Sequence, residues 1–343
     1  MRNQPTIHFL NVKDGDCTAI EHYSGHLSVI DVCNAQRDTP EQRGIEALAE
    51  ALAKFGEVAI RGNFNQKAHP VNPITYLKEH DVSSVFRFIL SHPDMDHMDG
   101  IKAFFDEFSP ANFWDTDNNE EKDFEGVPQY SEDDWKFYKQ LRDGKPAVDP
   151  KRLAKYSGET GKYWNRSEDD SPGGDGLCIL APTRELVGEA NDTGAFNDCS
   201  YVLLYRTGSH RIVFGGDSHD KTWDHILKHH KERVTDVDLL IAPHHGRKSG
   251  RSYEFLDTLR PALTFFGNAR SEDLAYDAWR RRGLPFITNN QANCMVVDAA
   301  ADAMKLYVTH EPFARTLNPY TFYSEEFRAY FCGSIQRQSS AAA

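Results

Sequence analysis

Four residues able to bind a metal ion, His92, Asp94, Asp96 and His97, fall within six positions of one another. Imidazole and carboxylate donors suit Zn²⁺, with Mn²⁺ and Fe²⁺ as alternatives. The run before them, Val85 to Leu90, reads as a buried strand of β-branched and aromatic residues. After them come Ile101, Phe104, Phe105 and Phe108, spaced as the buried face of a helix. The four candidates therefore sit in a turn between a strand end and a helix start. Acids and histidines are common in loops and helix caps, but this density on such a turn favours a metal site.

The same punctuation recurs twice. Strand-like segments at 200–205 and 211–214 form a hairpin that ends in Gly215, Gly216 and Asp217. An apolar strand at 237–242 ends in Pro243, His244, His245 and Gly246. Taken singly, an Asp after two glycines is usually a turn residue, and His-His-Gly is usually a loop. Beside the first cluster both become candidate ligands, because strand ends from distant parts of a chain can converge on one sheet edge. Arg247, Lys248 and Ser249, immediately beyond, are placed to donate to a phosphate; an ordinary solvated loop is the competing reading.

The elements that would carry these residues can be read in outline. Segments at 6–12, 17–22 and 27–32 predict three strands, and their close succession points to an antiparallel opening. Ile45, Leu48, Leu52 and Phe55 share a helix face, 57–73 is irregular, and a short helix restarts at 74–78. Strands follow at 177–180, 262–266, 286–288 and 294–297, with helices through Trp223 to Leu227, around 255–259 and over 271–282. The tail from 311 is expected to hold one helix near 325–331, and 339–343 to be disordered or vector-derived. Residues 106–176 differ in composition, with acidic clusters interleaved with Phe113, Trp114, Tyr130, Trp135, Tyr138, Tyr163 and Trp164. That many aromatics predicts an insertion or lid packed on the core, available to a protein partner, although a solvated insertion without a catalytic role fits equally.

The chain has 343 residues, 27% charged and 39% hydrophobic, as expected of a soluble globular protein. No apolar run reaches the length of a membrane span, so no membrane partner is expected. The first residues show no signal-peptide core, and the six cysteines are scattered singly, which together predict reduced thiols and a cytoplasmic protein. A net charge of −13 argues against loose binding of long nucleic acid through a basic surface. It leaves room for a phosphate-bearing substrate, because local charge dominates at a metal site.

Together, the strand–His-x-Asp-x-Asp-His–helix stretch, the Gly-Gly-Asp strand end and the Pro-His-His-Gly loop resemble metallo-β-lactamase-fold hydrolases. The hydrolase domain attached to the competence protein ComEC is the nearest look-alike. That branch shares the opening Phe9-Leu10-Asn11-Val12-Lys13-Asp14-Gly15-Asp16-Cys17, the Ser91-to-His97 wording, and an Asn-x-x-Ser segment, here Asn197 to Ser200. The resemblance covers roughly 6–105 and 177–310. It implies an α/β (α+β) fold, a four-layer αβ/βα sandwich spanning 1–310 with metals at one edge of two sheets.

Carried over by position, His92 and Asp94 would hold a first metal, Asp96 and His97 a second, and Asp217 would bridge them. His244 is preferred as the last ligand, with His245 as its competitor or a nearby proton donor. Asp31 and Asp16 match carboxylates that orient loops and imidazoles. Two departures matter: most of the superfamily has His where this chain has Asp94, which shifts the first site towards Mn²⁺, and a mid-chain His ligand is not evident. Asn197 occupies that neighbourhood, leaving the first site open, weaker or absent, with His210 as a substitute. The expected cofactor is one or two Zn²⁺ ions, with Mn²⁺ as alternative.

The expected activity is metal-dependent hydrolysis of a phosphodiester, in nucleic acid or a smaller nucleotide, with Asp96 holding the nucleophile and a histidine protonating the leaving group. Hydrolysis of another ester, a lactone or phosphocholine ester, is the alternative, since fold alone does not choose. A third reading is a partner-regulated binding protein with a degenerate metal site.

Overall fold

A computed structural model describes residues 4–37, 39, 63–125, 129–145, 149–166, 173–300 and 302–335. The helix expected over 45–55 and the tail at 339–343 lie outside these residues.

Ten strands form one sheet: β1 (Thr6–Phe9), β2 (Thr18–Glu21), β3 (Leu27–Ile30), β4 (Arg87–Ile89), β5 (Asn112–Trp114), β6 (Arg152–Leu153), and the late strands β13 (Met295–Asp298), β14 (Met304–Val308), β15 (Tyr323–Ser324) and β16 (Ala329–Ile335). Their order is β15-β16-β14-β13-β1-β2-β3-β4-β5-β6. The other six are β7 (Leu177–Ala181), β8 (Val202–Thr207), β9 (His210–Phe214), β10 (Leu239–Ile241), β11 (Leu263–Phe266) and β12 (Phe286–Thr288), ordered β12-β11-β10-β9-β8-β7. The opening β1–β2–β3 is antiparallel as expected, and β3, β4 and β5 then run parallel. In the smaller sheet β9 to β12 are parallel.

Strand alternation separates the apolar side chains into layers. On β9, Ile212 and Phe214 join a core shared by the two sheets, while Val213 joins another on the outer face. On β4, Ile89 enters the shared core and Phe88 the opposite face. The outer face of the large sheet is covered by α1 (Pro73–Glu79), α2 (Ile101–Phe108) and α3 (Glu132–Asp143), through Leu77, Phe104, Phe105, Trp135 and Tyr138. The outer face of the small sheet is covered by α5 (Asp220–His229), which follows α4 (Arg184–Thr193), and by α6 (Tyr276–Arg280), through Trp223, Ile226 and Trp279. Three apolar cores between four layers make the αβ/βα sandwich expected from the resemblance.

The region 106–176 is built into this body. It supplies β5 and β6 at the sheet edge and the packed helix α3. Within its acidic run, Asp134 accepts hydrogen bonds from the Gly100 and Lys102 amides, both at 3.0 Å. It therefore caps α2, whose own N-cap, Gly100, has no side chain to do so.

The tail departs from expectation. Residues 325–331 are not helical; β15 and β16 form a hairpin there, and β16 pairs with β14. Arg328, at φ 48°, makes the turn that a helix would not allow. The helix lies earlier, as α7 (Glu311–Leu317), with a proline in its first turn. The helix expected over 271–282 is confined to α6, and that near 255–259 to a single turn at Leu256–Leu259. Among the described residues, no helix is long and apolar enough to cross a membrane.

Candidate metal centre

The candidate ligands sit on loops that leave the C-terminal ends of strands in both sheets. Asp31 follows β3, His92 to His97 follow β4, Asp217 follows β9, and His244 and His245 follow β10. The β1–β2 turn enters from the same side because Gly15 has no Cβ; one placed there would stand 1.7 Å from the Asp96 carbonyl oxygen. This close approach sets Asp16 beside His245.

The side chains form two groups that share Asp217. In the first, His92 Nε2 stands 3.3 Å from Asp94 Oδ2 and 3.7 Å from Asp217 Oδ2. In the second, His97 Nε2 stands 3.4 Å from Asp217 Oδ1 and 3.8 Å from Asp96 Oδ2. His245 Nε2 completes that group, 3.4 Å from Asp96 Oδ2 and 4.0 Å from Asp217 Oδ1. Asp217 thus offers one oxygen to each group.

A metal ion fits this donor set. The Nε2 atoms of His92, His97 and His245 and Oδ1 of Asp217 are buried, and none has a hydrogen-bond partner among the described residues. Four such orphaned polar atoms converging on one space would be costly without a cation. Donor atoms of His92, His97 and Asp217 lie within 4.8 Å of one another, as do those of Asp96, His97 and His245.

The opposite ring nitrogens of the histidines face different partners. His97 Nδ1 donates to Asp31 Oδ2 at 2.8 Å, and Asp31 Oδ1 accepts the Ser91 amide at 2.6 Å. His245 Nδ1 approaches Asp16 Oδ1 at 3.0 Å, as an ion pair that lacks hydrogen-bond alignment. A proton held on Nδ1 by a carboxylate leaves the Nε2 lone pair for a metal. His244 differs, because its Nδ1 stands 2.8 Å from Arg251 Nη1. A guanidinium only donates, so Nδ1 accepts and the proton of the neutral ring must reside on Nε2. That Nε2 lies 3.6 Å from Asp217 Oδ2 and presents a donor to the centre, not a lone pair.

His244 and His245 therefore do not compete for one position. Both have left-handed backbones, at φ 51° and 56°, which turn their rings apart. His245 is fully buried, whereas His244 is partly exposed.

The electrostatics follow the same division. Burial alone would keep His97 and His245 neutral, but Asp217 together with Asp96 and Asp31 raises His97, and Asp16 and Asp217 push His245 up to about 10. His244 goes the other way, to about 3, through burial and the positive charges of Arg251, His245 and Arg247. Burial also opposes charge on Asp217 and Asp94, yet the neighbouring histidines hold Asp217 well below the carboxylate range, and His92 with Lys122 does so for Asp94.

No protein-family model and no curated protein matches this sequence. Solved structures do resemble it in shape. Igni18, a metallo hydrolase from the archaeon Ignicoccus hospitalis, is 10% identical, with a TM-score of 0.44 over 85% of this chain and 98% of its own. CmlA, a diiron β-hydroxylase from Streptomyces venezuelae, is also 10% identical with a TM-score of 0.44; the match covers 87% of this chain and 55% of CmlA. Tm1679, a metal-dependent hydrolase of the β-lactamase superfamily, is 13% identical, with a TM-score of 0.32 over 84% and 98%.

Other expected residues fall outside the cluster or behind it. Asn197 gives its carbonyl to the Ser200 amide, and Ser200 Oγ accepts the Asp217 amide, so Asn197 acts at two removes. His210 opens β9 and is buried at the strand end away from Asp217, which rules it out as a substitute ligand. Lys248 Nζ donates to the Glu272 carbonyl at 2.8 Å, and Ser249 is exposed, so neither is aimed inward. Arg247 adds a positive charge felt at His244.

Two cations that sequence reasoning passed over do reach the centre. Arg251 donates to His244 and to the carbonyls of Asp217 and Ser218, at 2.5 and 2.8 Å. Lys122, from the insertion, donates to Asp94 Oδ1 at 2.8 Å. No motif marks either residue.

Proposed function

We propose that the protein is a divalent-metal-dependent hydrolase of phosphoesters, with phosphodiesters as the favoured substrates. The observation that carries this reading is the convergence of the orphaned, buried His92, His97 and His245 Nε2 atoms with Asp217 Oδ1. His92, Asp94 and Asp217 would hold one cation, and Asp96, His97, His245 and Asp217 another. Bound cations of this kind lower the pKa of water towards neutrality and polarise the ester under attack.

The protein's own groups supply the rest. His244, neutral with its proton on Nε2, stands ready to donate to a leaving oxygen, with Arg251 fixing the tautomer. The carboxylates of Asp94, Asp96 and Asp217 are fewer in charge than two divalent ions, so a loaded centre carries net positive charge. Lys122 and Arg251 offset the Asp16 and Asp31 carboxylates behind the imidazoles, so that positive balance remains and favours an anionic ester over a neutral lactone. Asp16, packed beside His245, supports a place in the ComEC-like branch. Six single, free cysteines suit the cytoplasmic setting proposed for it.

The test pairs elemental analysis with hydrolysis of bis(p-nitrophenyl) phosphate, p-nitrophenyl phosphate and a γ-lactone. Retention of transition metal and chelator-sensitive cleavage of the diester are expected. A chain that retains no metal, or that opens only the lactone, overturns the proposal.

A further inference from the structure

Asp94 stands where a single oxygen points into the first donor group while its other oxygen is taken. Oδ2 lies 3.3 Å from His92 Nε2, and Oδ1 accepts from Lys122 Nζ at 2.8 Å. Lys122 is itself held from several sides. Glu120 Oε1 accepts from it at 3.3 Å, and its ammonium lies 5.7 Å from the centroid of the buried Trp135 ring. The Glu120 carbonyl in turn accepts from Arg142 Nη1 at 2.6 Å, tying this segment to α3. The Lys122 side chain is only 19% exposed, so the pair is a built contact and not a surface coincidence.

We propose that Lys122 is a positioning residue that keeps Asp94 a one-oxygen donor and thereby sets the metal preference of the first group. This inference rests on the metal reading above. With Oδ1 occupied, the first group offers three protein atoms: His92 Nε2, Asp94 Oδ2 and Asp217 Oδ2. Three protein donors is the number that catalytic zinc sites keep, leaving a position for water or substrate. A carboxylate free at both oxygens chelates, adds a donor, and suits Mn²⁺, which tolerates higher coordination and oxygen-rich sites. The preference expected from the carboxylate alone, towards Mn²⁺, is turned back towards Zn²⁺ by an ammonium from the insertion.

The test compares the full-length chain with Lys122→Met and Lys122→Arg. Each is equilibrated with equimolar Zn²⁺ and Mn²⁺; bound metal is measured by mass spectrometry, Mn²⁺ by electron paramagnetic resonance, and folding by thermal melting. K122M is expected to raise the bound Mn:Zn ratio about tenfold, the scale on which partners behind a ligand act. It is also expected to lower kcat on the diester more than it raises KM, while K122R stays near the unsubstituted chain. An unchanged ratio in a folded, metal-binding K122M overturns the inference, as does a change in KM alone, which would make Lys122 a substrate contact. If the unsubstituted chain retains no metal, the hydrolase reading fails first and this inference with it, a result visible before any substitution.

Discussion

The two donor groups share Asp217 but differ in the charges that surround them. Behind the second group are carboxylates, Asp31 on His97 and Asp16 beside His245. Around the first are cations, Arg251 on His244 and Lys122 on Asp94. Carboxylates make an imidazole more basic and a stronger ligand; a cation on Nδ1 makes it a neutral proton carrier. The contrast teaches that similar residue types, a few ångströms apart, are divided by their neighbours: imidazoles backed by carboxylates are suited to grip a metal, and His244, backed by a guanidinium, to handle a substrate.

The comparison can be broken most severely at the shared residue. Asp217→Asn is expected to abolish metal-dependent turnover and lower metal content, because both groups lose charge at once. Activity retained by the metal-reconstituted variant would dissolve the two-group picture.

The adjacent histidines give the next largest contrast. His245→Ala is expected to reduce bound metal, whereas His244→Ala keeps the metal content and lowers kcat by about a hundredfold, the lower range for a lost general acid. Equal metal loss in the two variants would erase the distinction drawn from the ring nitrogens. Asp31→Asn tests the carboxylate backing directly. A drop of about 10- to 100-fold in affinity for the more tightly bound equivalent is expected, measured by competition with a chelating dye.

The smallest effect is a proton count. Without metal, His245 at about 10 and the raised His97 hold protons at neutral pH, so a cation entering the second group must expel them. Apparent affinity should therefore rise from pH 7 towards pH 9, with proton release visible by calorimetry in buffers of differing ionisation enthalpy. His244, at about 3, is already neutral and contributes no proton. Affinity flat across this range would place the charges wrongly.

Much of this was legible in the chain because it is local. The strand ending at β4, the spacing of His92 to His97 and the helix face of Ile101 to Phe108 are short-range patterns. Asp217 and the His-His pair were found by the same strand-end punctuation. Which of the pair turns its Nε2 towards Asp96 was not legible, since it depends on a left-handed turn at both residues, and the guanidinium on His244 comes from seven positions on. Lys122 was hidden for another reason: amid acids it reads as one charge in a solvated run, and only the fold brings it to Asp94. The tail was misread because Glu325, Glu326 and Arg328 suit a helix, whereas pairing with β14 pulls 329–335 into the sheet.

Asp134 has a consequence for anyone who would trim this protein. Its carboxylate, from α3, closes the open end of α2, the helix that begins directly after the ligand-bearing turn. A shortened chain lacking 106–176 would lose more than an appendage: the turn would hang from a frayed helix, and the large sheet would end at β4. Miniaturisation should therefore cost the donor groups their geometry before it costs the rest of the fold.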